Sequence, residues 1–228
     1  MEKANIQMKL IVFCADKQSV EELEALHNEN CICILADFLE KSLPADLKRW
    51  GNKEYKQIVF TKLDIILYAL QNTYDLGVKA IGYIDTDIAL FMNPRIPFLY
   101  YMDKQPDISI FSQCDEAKPG CTNIECCPNI CSGVIVFRNK KELYQVFEYK
   151  EAVLNNYLGD QDFLRAALLK ASIPFVTLDK NILPNGCFFP ELKQKKIKFP
   201  KWCCLIHFNY MIGHDKKKAM QLQELWYV

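Results

Sequence analysis

The chain of 228 residues lacks a net charge, because 28 lysines and arginines balance 28 aspartates and glutamates. Nothing in that balance favours nucleic acid or an anionic membrane surface as a partner. Long hydrophobic runs are missing as well. None approaches the ~20 apolar residues that a membrane-spanning helix requires. The stretch Leu10 to Ala15, closed by Asp16, is too short for the core of an export signal. A cytoplasmic location is therefore expected. Glycine is scarce, with eight in all and none before Gly51. Internal repeats and low-complexity blocks are absent. With 50% hydrophobic and 25% charged residues, length and composition suit a single globular domain over 1–228.

Cysteine, by contrast, is abundant and odd in number, at eleven. Cys14, Cys31, Cys33, Cys203 and Cys204 stand in apolar, strand-like runs, where a free thiol behaves as a small hydrophobe. Cys114, Cys121, Cys126, Cys127 and Cys131 instead crowd a Pro/Gly/Asn-rich segment from Ser112 to Ser132. Their spacing is not the paired C-x2-C of a zinc ribbon. A reduced loop is the default reading, a local disulfide the second and structural zinc the third. The basic run Lys193 to Lys198 reads as a solvated loop, with phosphate or acceptor binding as the alternative.

Hydrophobic spacing predicts alternating strands and helices. Strands are expected over Met8–Ala15, Cys31–Ala36, Lys79–Ile84, Ile108–Phe111 and Gly133–Phe137. Helices are expected over Gln18–Asn28 with Ser19 as N-cap, and over Thr61–Thr73, Lys140–Leu154 and Gln161–Ala171. Such alternation implies an α/β fold with a mostly parallel central sheet flanked by helices. In sheets of that kind, ligands bind beyond the carboxyl ends of the strands. Asp85-Thr86-Asp87 stands at such an end, after Ile81-Gly82-Tyr83-Ile84. In extended chain, alternate residues point the same way, so both carboxylates would face one side. Two adjacent carboxylates repel, and a divalent cation with oxygen ligands relieves the conflict. The competing reading is a plain turn or helix cap.

Tyr83-Ile84-Asp85-Thr86-Asp87-Ile88-Ala89-Leu90-Phe91-Met92-Asn93-Pro94 resembles the D-x-D block of GT-A glycosyltransferases. More closely, it is similar to the nucleotide-diphospho-sugar transferase group, where the block ends in proline. Other segments match in order. Lys62 resembles a donor-contacting lysine, and Cys131-Ser132-Gly133 an Asn-Ser/Thr-Gly block near the donor sugar. Asp160-Gln161 resembles an Asp-Gln pair ahead of a helix. Leu183 to Phe189 and His207-Phe208-Asn209 with Gly213 resemble the last two blocks. Cys131 and Arg165 depart from the pattern, each standing where asparagine is usual.

The resemblance implies a Rossmann-like GT-A fold and transfer of a hexosyl or pentosyl unit. The donor would be a nucleotide sugar, with UDP favoured, and the acceptor a glycan or protein hydroxyl. It implies Mn2+ or Mg2+ held by Asp85, Asp87 and His207. Phe13, Cys14, Ala15 and Asp16 would cradle base and ribose. Lys62, Thr86, Ser132, Gly133, Asn185, Gly186, Asn209, Gly213, Lys216 and Lys217 would complete the donor site. Asp160 and Gln161 would act at the anomeric carbon, with an N-cap role for Asp160 as the alternative. A nucleotidylyltransferase of related architecture would need a glycine-rich triphosphate loop after the first strand, and no glycine stands there. A non-catalytic zinc module built on the clustered cysteines is the remaining alternative.

Overall fold

A computed structural model describes residues 10–39, 52–115, 129–211 and 213–226. Strands β1 (Leu10–Cys14) and β2 (Cys31–Leu35) pair in parallel, Leu10 against Cys31, with helix α1 (Lys17–Glu24) between them. The N-cap of α1 is Asp16 and not Ser19. Its carboxylate accepts the Ser19 amide at 2.7 Å, which satisfies one of the free donors of the first turn. Helix α2 (Lys53–Tyr74) begins eight residues before the expected Thr61, capped by Asn52, whose side chain accepts from the Tyr55 amide. Within the expected segment Leu63, Ile66 and Leu70 meet the sheet, and Phe60 just before it joins them.

The central sheet has the order β3-β6-β5-β7, formed by Ala80–Ile84, Ile130–Arg138, Ile110–Cys114 and Phe175–Leu178 respectively. The α/β class is as expected. Parallel pairing holds for β1–β2 and β5–β7, but β6 runs antiparallel to both neighbours. The expectation of a mostly parallel sheet rested on strand–helix alternation. Between β5 and β6 the sequence carries no helical spacing, so a parallel crossover has no support there. Helix α2 and helix α5 (Asp160–Lys170) cover one face through Phe60, Leu63, Leu164 and Leu168 against Ile110, Ile135 and Phe137.

The helix expected over Lys140–Leu154 is broken. Only α4 (Tyr144–Phe147) is α-helical, flanked by 3-10 turns at Lys141–Leu143 and Glu151–Asn156. Tyr149 interrupts it by packing edge-on to Phe60 and donating its hydroxyl to Asp64 at 2.8 Å. Two short strands, β4 (Ile88–Leu90) and β8 (Leu205–His207), pair antiparallel at the carboxyl end of β3. Helices α3 (Arg95–Lys104) and α6 (His214–Leu222) complete the described elements used below. Among the described residues, no helix is long and apolar enough to cross a membrane.

Candidate active site

The end of β3 delivers Asp85, whose amide donates to the Gly133 carbonyl at 2.8 Å. The chain then turns through exposed Thr86 and enters β4 after Asp87. The plain-turn reading of Asp-Thr-Asp is thus right about the backbone, yet both carboxylates converge on one point. The β4–β8 register sets Ile88 opposite His207. That pairing brings His207 Nε2 to 3.2 Å from Asp87 Oδ1 and 3.8 Å from Asp85 Oδ2. One ligand atom from each of Asp85, Asp87 and His207 lies within 4.8 Å of the others. Two carboxylates and an imidazole in that span fit a divalent cation.

A kink in β6 shapes the wall facing them. Ser112 of β5 opposes Ile135, whereas the next residue, Gln113, opposes Cys131. Ser132 to Val134 therefore bulge without partners in β5, as a β-bulge re-aims a strand next to a site. Gly133 lies in that bulge. A methyl group there would collide with Asp85 Oδ2 and His207 Cε1, so glycine is what lets the three ligand groups close on the strand. At Gly186 a methyl group would strike the backbone oxygen of Asn209. Gly213, with φ of +52°, caps α6 in a conformation that side chains disfavour.

Opposite charge holds the acidic pair. Lys216 Nζ reaches Asp87 Oδ2 at 2.6 Å. Lys217, one position on, lies over the Trp226 ring at 5.2 Å, so only one of the two expected lysines enters the site. Burial pushes the Asp87 carboxyl up, but hydrogen bonding and charge from His207, with Lys216, hold it well below the usual carboxylate range. Burial acts to lower His207, yet its bonds to Asp87 and Cys131 push it up to about 10.

Lys62 is a buried hub between two parts of the site. Its ammonium lies 3.2 Å from Asp85, from Asp160 Oδ2 and from Ser132 Oγ. Burial would lower the ammonium pKa, but the Asp160 and Asp85 carboxylates raise it well above the ordinary lysine value. Asp160 is the first residue of α5 and Gly159 is the cap. Its buried carboxylate is therefore turned to Lys62 and not spent on capping, and the helix N-terminus favours its negative charge. Tyr83 donates to Asp85 Oδ1 at 3.0 Å; burial and that carboxylate raise its pKa above the ordinary tyrosine value.

Gln161 accepts the Ser132 amide at 3.2 Å and donates to Asp115 Oδ2 at 2.6 Å. Asp115 was not anticipated. Its other oxygen accepts from Asn209 Nδ2 at 3.2 Å, and Asn209 Oδ1 accepts the Gly186 amide at 2.7 Å. Burial raises the Asp115 carboxyl, with the Gln161 bond opposing. Its position just past the end of β5 was the available signal. Asn185 donates to the Cys114 carbonyl at 3.2 Å. Gln113, also unanticipated, accepts from His207 Nδ1 at 2.9 Å through its amide oxygen.

Phe13, Cys14, Ala15 and Asp16 lie at the β1–α1 turn, away from these carboxylates in the chain. Phe13 packs edge-on against Phe38 and Tyr68, which stack on each other with centroids 4.0 Å apart. Asp16 is engaged as the α1 cap. The cysteine segment departs from its default reading, because Cys114 is disulfide-bonded while Cys131 is free. Cys121, Cys126 and Cys127 lie outside the described residues.

The class follows from this frame and from its likeness to solved structures: the fold is that of a GT-A glycosyltransferase. Mouse xyloside xylosyltransferase 1, in its apo form, aligns with a TM-score of 0.54 at 16% identity, over 89% of this chain and 84% of that one. Residues 5–222 match the nucleotide-diphospho-sugar transferase family, and the chain belongs to it. A search of curated proteins gives no match.

Proposed function

We propose that the protein transfers a sugar from a nucleoside diphosphate sugar, with UDP as the favoured base, to a hydroxyl of a glycan or protein acceptor. The observation that supports this best is the convergence of Asp85, Asp87 and His207 within 4.8 Å. In this reading those residues hold Mn2+ or Mg2+. Bound there, the cation supplies Lewis-acid stabilisation for the charge that develops on the leaving diphosphate. Lys216 adds a point charge beside it, and Gly213 lets the backbone approach the phosphates. Phe13 to Asp16 border the base and ribose.

The sugar would lie between the metal ligands and the α5 N-terminus. Lys62 ties Asp160 to Asp85 there, so the two carboxylates keep a set spacing. The Asp160 carboxylate faces the positive charge that grows at the anomeric carbon as the donor bond breaks. Gln161 holds the Ser132 backbone and Asp115 together, and Asn209 with Asn185 and Gly186 closes the same edge. Two other readings lose ground. A triphosphate-binding transferase has no glycine before Gly51 to form its loop. A zinc module would lack Cys114 as a ligand, because its sulfur is in a disulfide.

A panel of UDP- and GDP-sugars tests the reading. One UDP-sugar is expected to be hydrolysed or transferred with Mn2+, to lose turnover on chelation and to regain it on Mn2+ return. The same donor with Mn2+, at a hundred times its Kd, should stabilise the protein by about 2.7 kcal/mol. For a chain of this size, that corresponds to a rise in Tm of roughly 5–10 °C. Turnover indifferent to chelation, or a panel with no UDP-sugar bound, would contradict the proposal.

A further inference from the structure

We infer that Gln113 is a positioning residue that holds a hydrogen on Nδ1 of His207 and so reserves Nε2 for the metal subsite. The inference rests on the glycosyltransferase reading above and adds a residue to it.

Gln113 is wholly buried at the end of β5. Its Nε2 donates to the carbonyls of Leu183 and Pro184, both at 2.9 Å. Those two bonds use both amide hydrogens. They also fix the orientation of the amide, since turning it over would set Oε1 against two carbonyl oxygens. The same segment carries the His207 backbone, whose amide donates to the Pro184 carbonyl at 3.3 Å. Donor frame and imidazole are thus held by one piece of chain.

What remains facing His207 is Oε1, 2.9 Å from Nδ1. An amide oxygen only accepts, so Nδ1 carries the hydrogen. A bound cation takes the place of the hydrogen that Nε2 otherwise shares with Asp87, and the one N–H that the ring then keeps is the one on Nδ1. Nε2 is the atom that stands 3.2 Å from Asp87 and 3.8 Å from Asp85. Cys131 Sγ also lies near, 3.5 Å from Nδ1. Its thiol could donate only to a bare Nδ1, and that would press a nitrogen lone pair against Oε1 at 2.9 Å. The oxygen decides the tautomer, as outer-shell partners of metal-binding histidines do.

The test is Mn2+ binding to the full chain, read as free Mn2+ by electron paramagnetic resonance. Gln113→Met is expected to weaken binding about 10- to 100-fold. Gln113→Glu, protonated on the oxygen that faces the two carbonyls, keeps one of those bonds and still accepts from Nδ1–H, so it should bind Mn2+ clearly more tightly than Gln113→Met. In a His207→Ala background, Gln113→Met should have almost no further effect, because the two residues act as one unit. Wild-type affinity in Gln113→Met, equal damage in the two Gln113 variants, or an undiminished effect without the histidine would overturn the inference. Independently of any variant, long-range proton–nitrogen NMR on the Mg2+-saturated wild type should find the His207 proton on Nδ1. A proton on Nε2 would overturn it. If His207→Ala binds Mn2+ as tightly as the wild type, the metal assignment fails and this inference falls with it. If His207→Ala weakens binding and Gln113→Met does not, the inference fails alone.

Discussion

Asp87→Ala is expected to lower kcat/KM for sugar transfer by at least about 100-fold, the scale for removing a group that stabilises transition-state charge. Asp87 has the most to lose among the ligand residues. Its carboxylate is the shared partner of His207 at 3.2 Å and Lys216 at 2.6 Å, with only 13% of the side chain exposed. Truncation removes one proposed metal ligand and at once leaves an imidazole and an ammonium without their common acceptor. The loss should appear mainly in kcat at saturating donor, because the proposed metal would act as the diphosphate leaves. Assays at several Mn2+ concentrations separate weakened metal binding from a weaker catalytic step. Full activity in Asp87→Ala would mean that the metal is held elsewhere.

Lys62→Met is the change expected to cost most in stability, about 3–5 kcal/mol, because it strips the cation from a buried ion pair. The size follows from burial. Side-chain exposure is 10% for Lys62 and 8% for Asp160, so solvent does little to screen that pair. Asp85 is 27% exposed and is the better hydrated of the two carboxylates. Methionine fills much the same space, which keeps the cavity term small and isolates the charge. Asp160 carries most of the penalty, since the hydroxyl of Ser132 and the ring of Tyr83 cannot replace an ammonium. Urea denaturation with Mn2+ absent reads the effect directly. A loss under about 1 kcal/mol would place the pair among solvated surface bridges and remove Lys62 from the role assigned here.

The parts of the site that were legible are those that end an apolar strand. Asp85 and Asp87 follow Ala80–Ile84, and that hydrophobic run marked their position; His207 closes Leu205–His207, but its role as a ligand was legible through resemblance. Lys62 was likewise legible only through resemblance, and its pairing with Asp160 was not legible at all, because the two stand far apart in the chain. Gln113 and Asp115 escaped for a local reason. Polar Ser112 and Gln113 made the strand seem to stop at Phe111, although both are fully buried in β5. Polar groups survive there because the bulge and the neighbouring carbonyls satisfy them, as Ser112 does by accepting the Cys131 amide at 3.1 Å.

Lys216 and Lys217 were indistinguishable in sequence because successive positions on a helix face about 100° apart. The placement of α6 against β8 and the loop before it decides which one meets Asp87. The antiparallel run of β6 was legible only in the missing helical spacing between β5 and β6, since side-chain alternation is the same in both directions of pairing. Its consequence for the site is large: the β5–β6 slip is what brings Gly133 up against Asp85 and His207.

The central claim is that Asp85, Asp87 and His207 form a metal site serving a nucleoside diphosphate. Crystals grown with UDP and Mn2+ test it most directly, by anomalous scattering at the manganese edge. The account predicts one strong peak bounded by Asp85, Asp87 and His207 Nε2, in contact with the diphosphate. Bound UDP with no anomalous peak among those residues would contradict it.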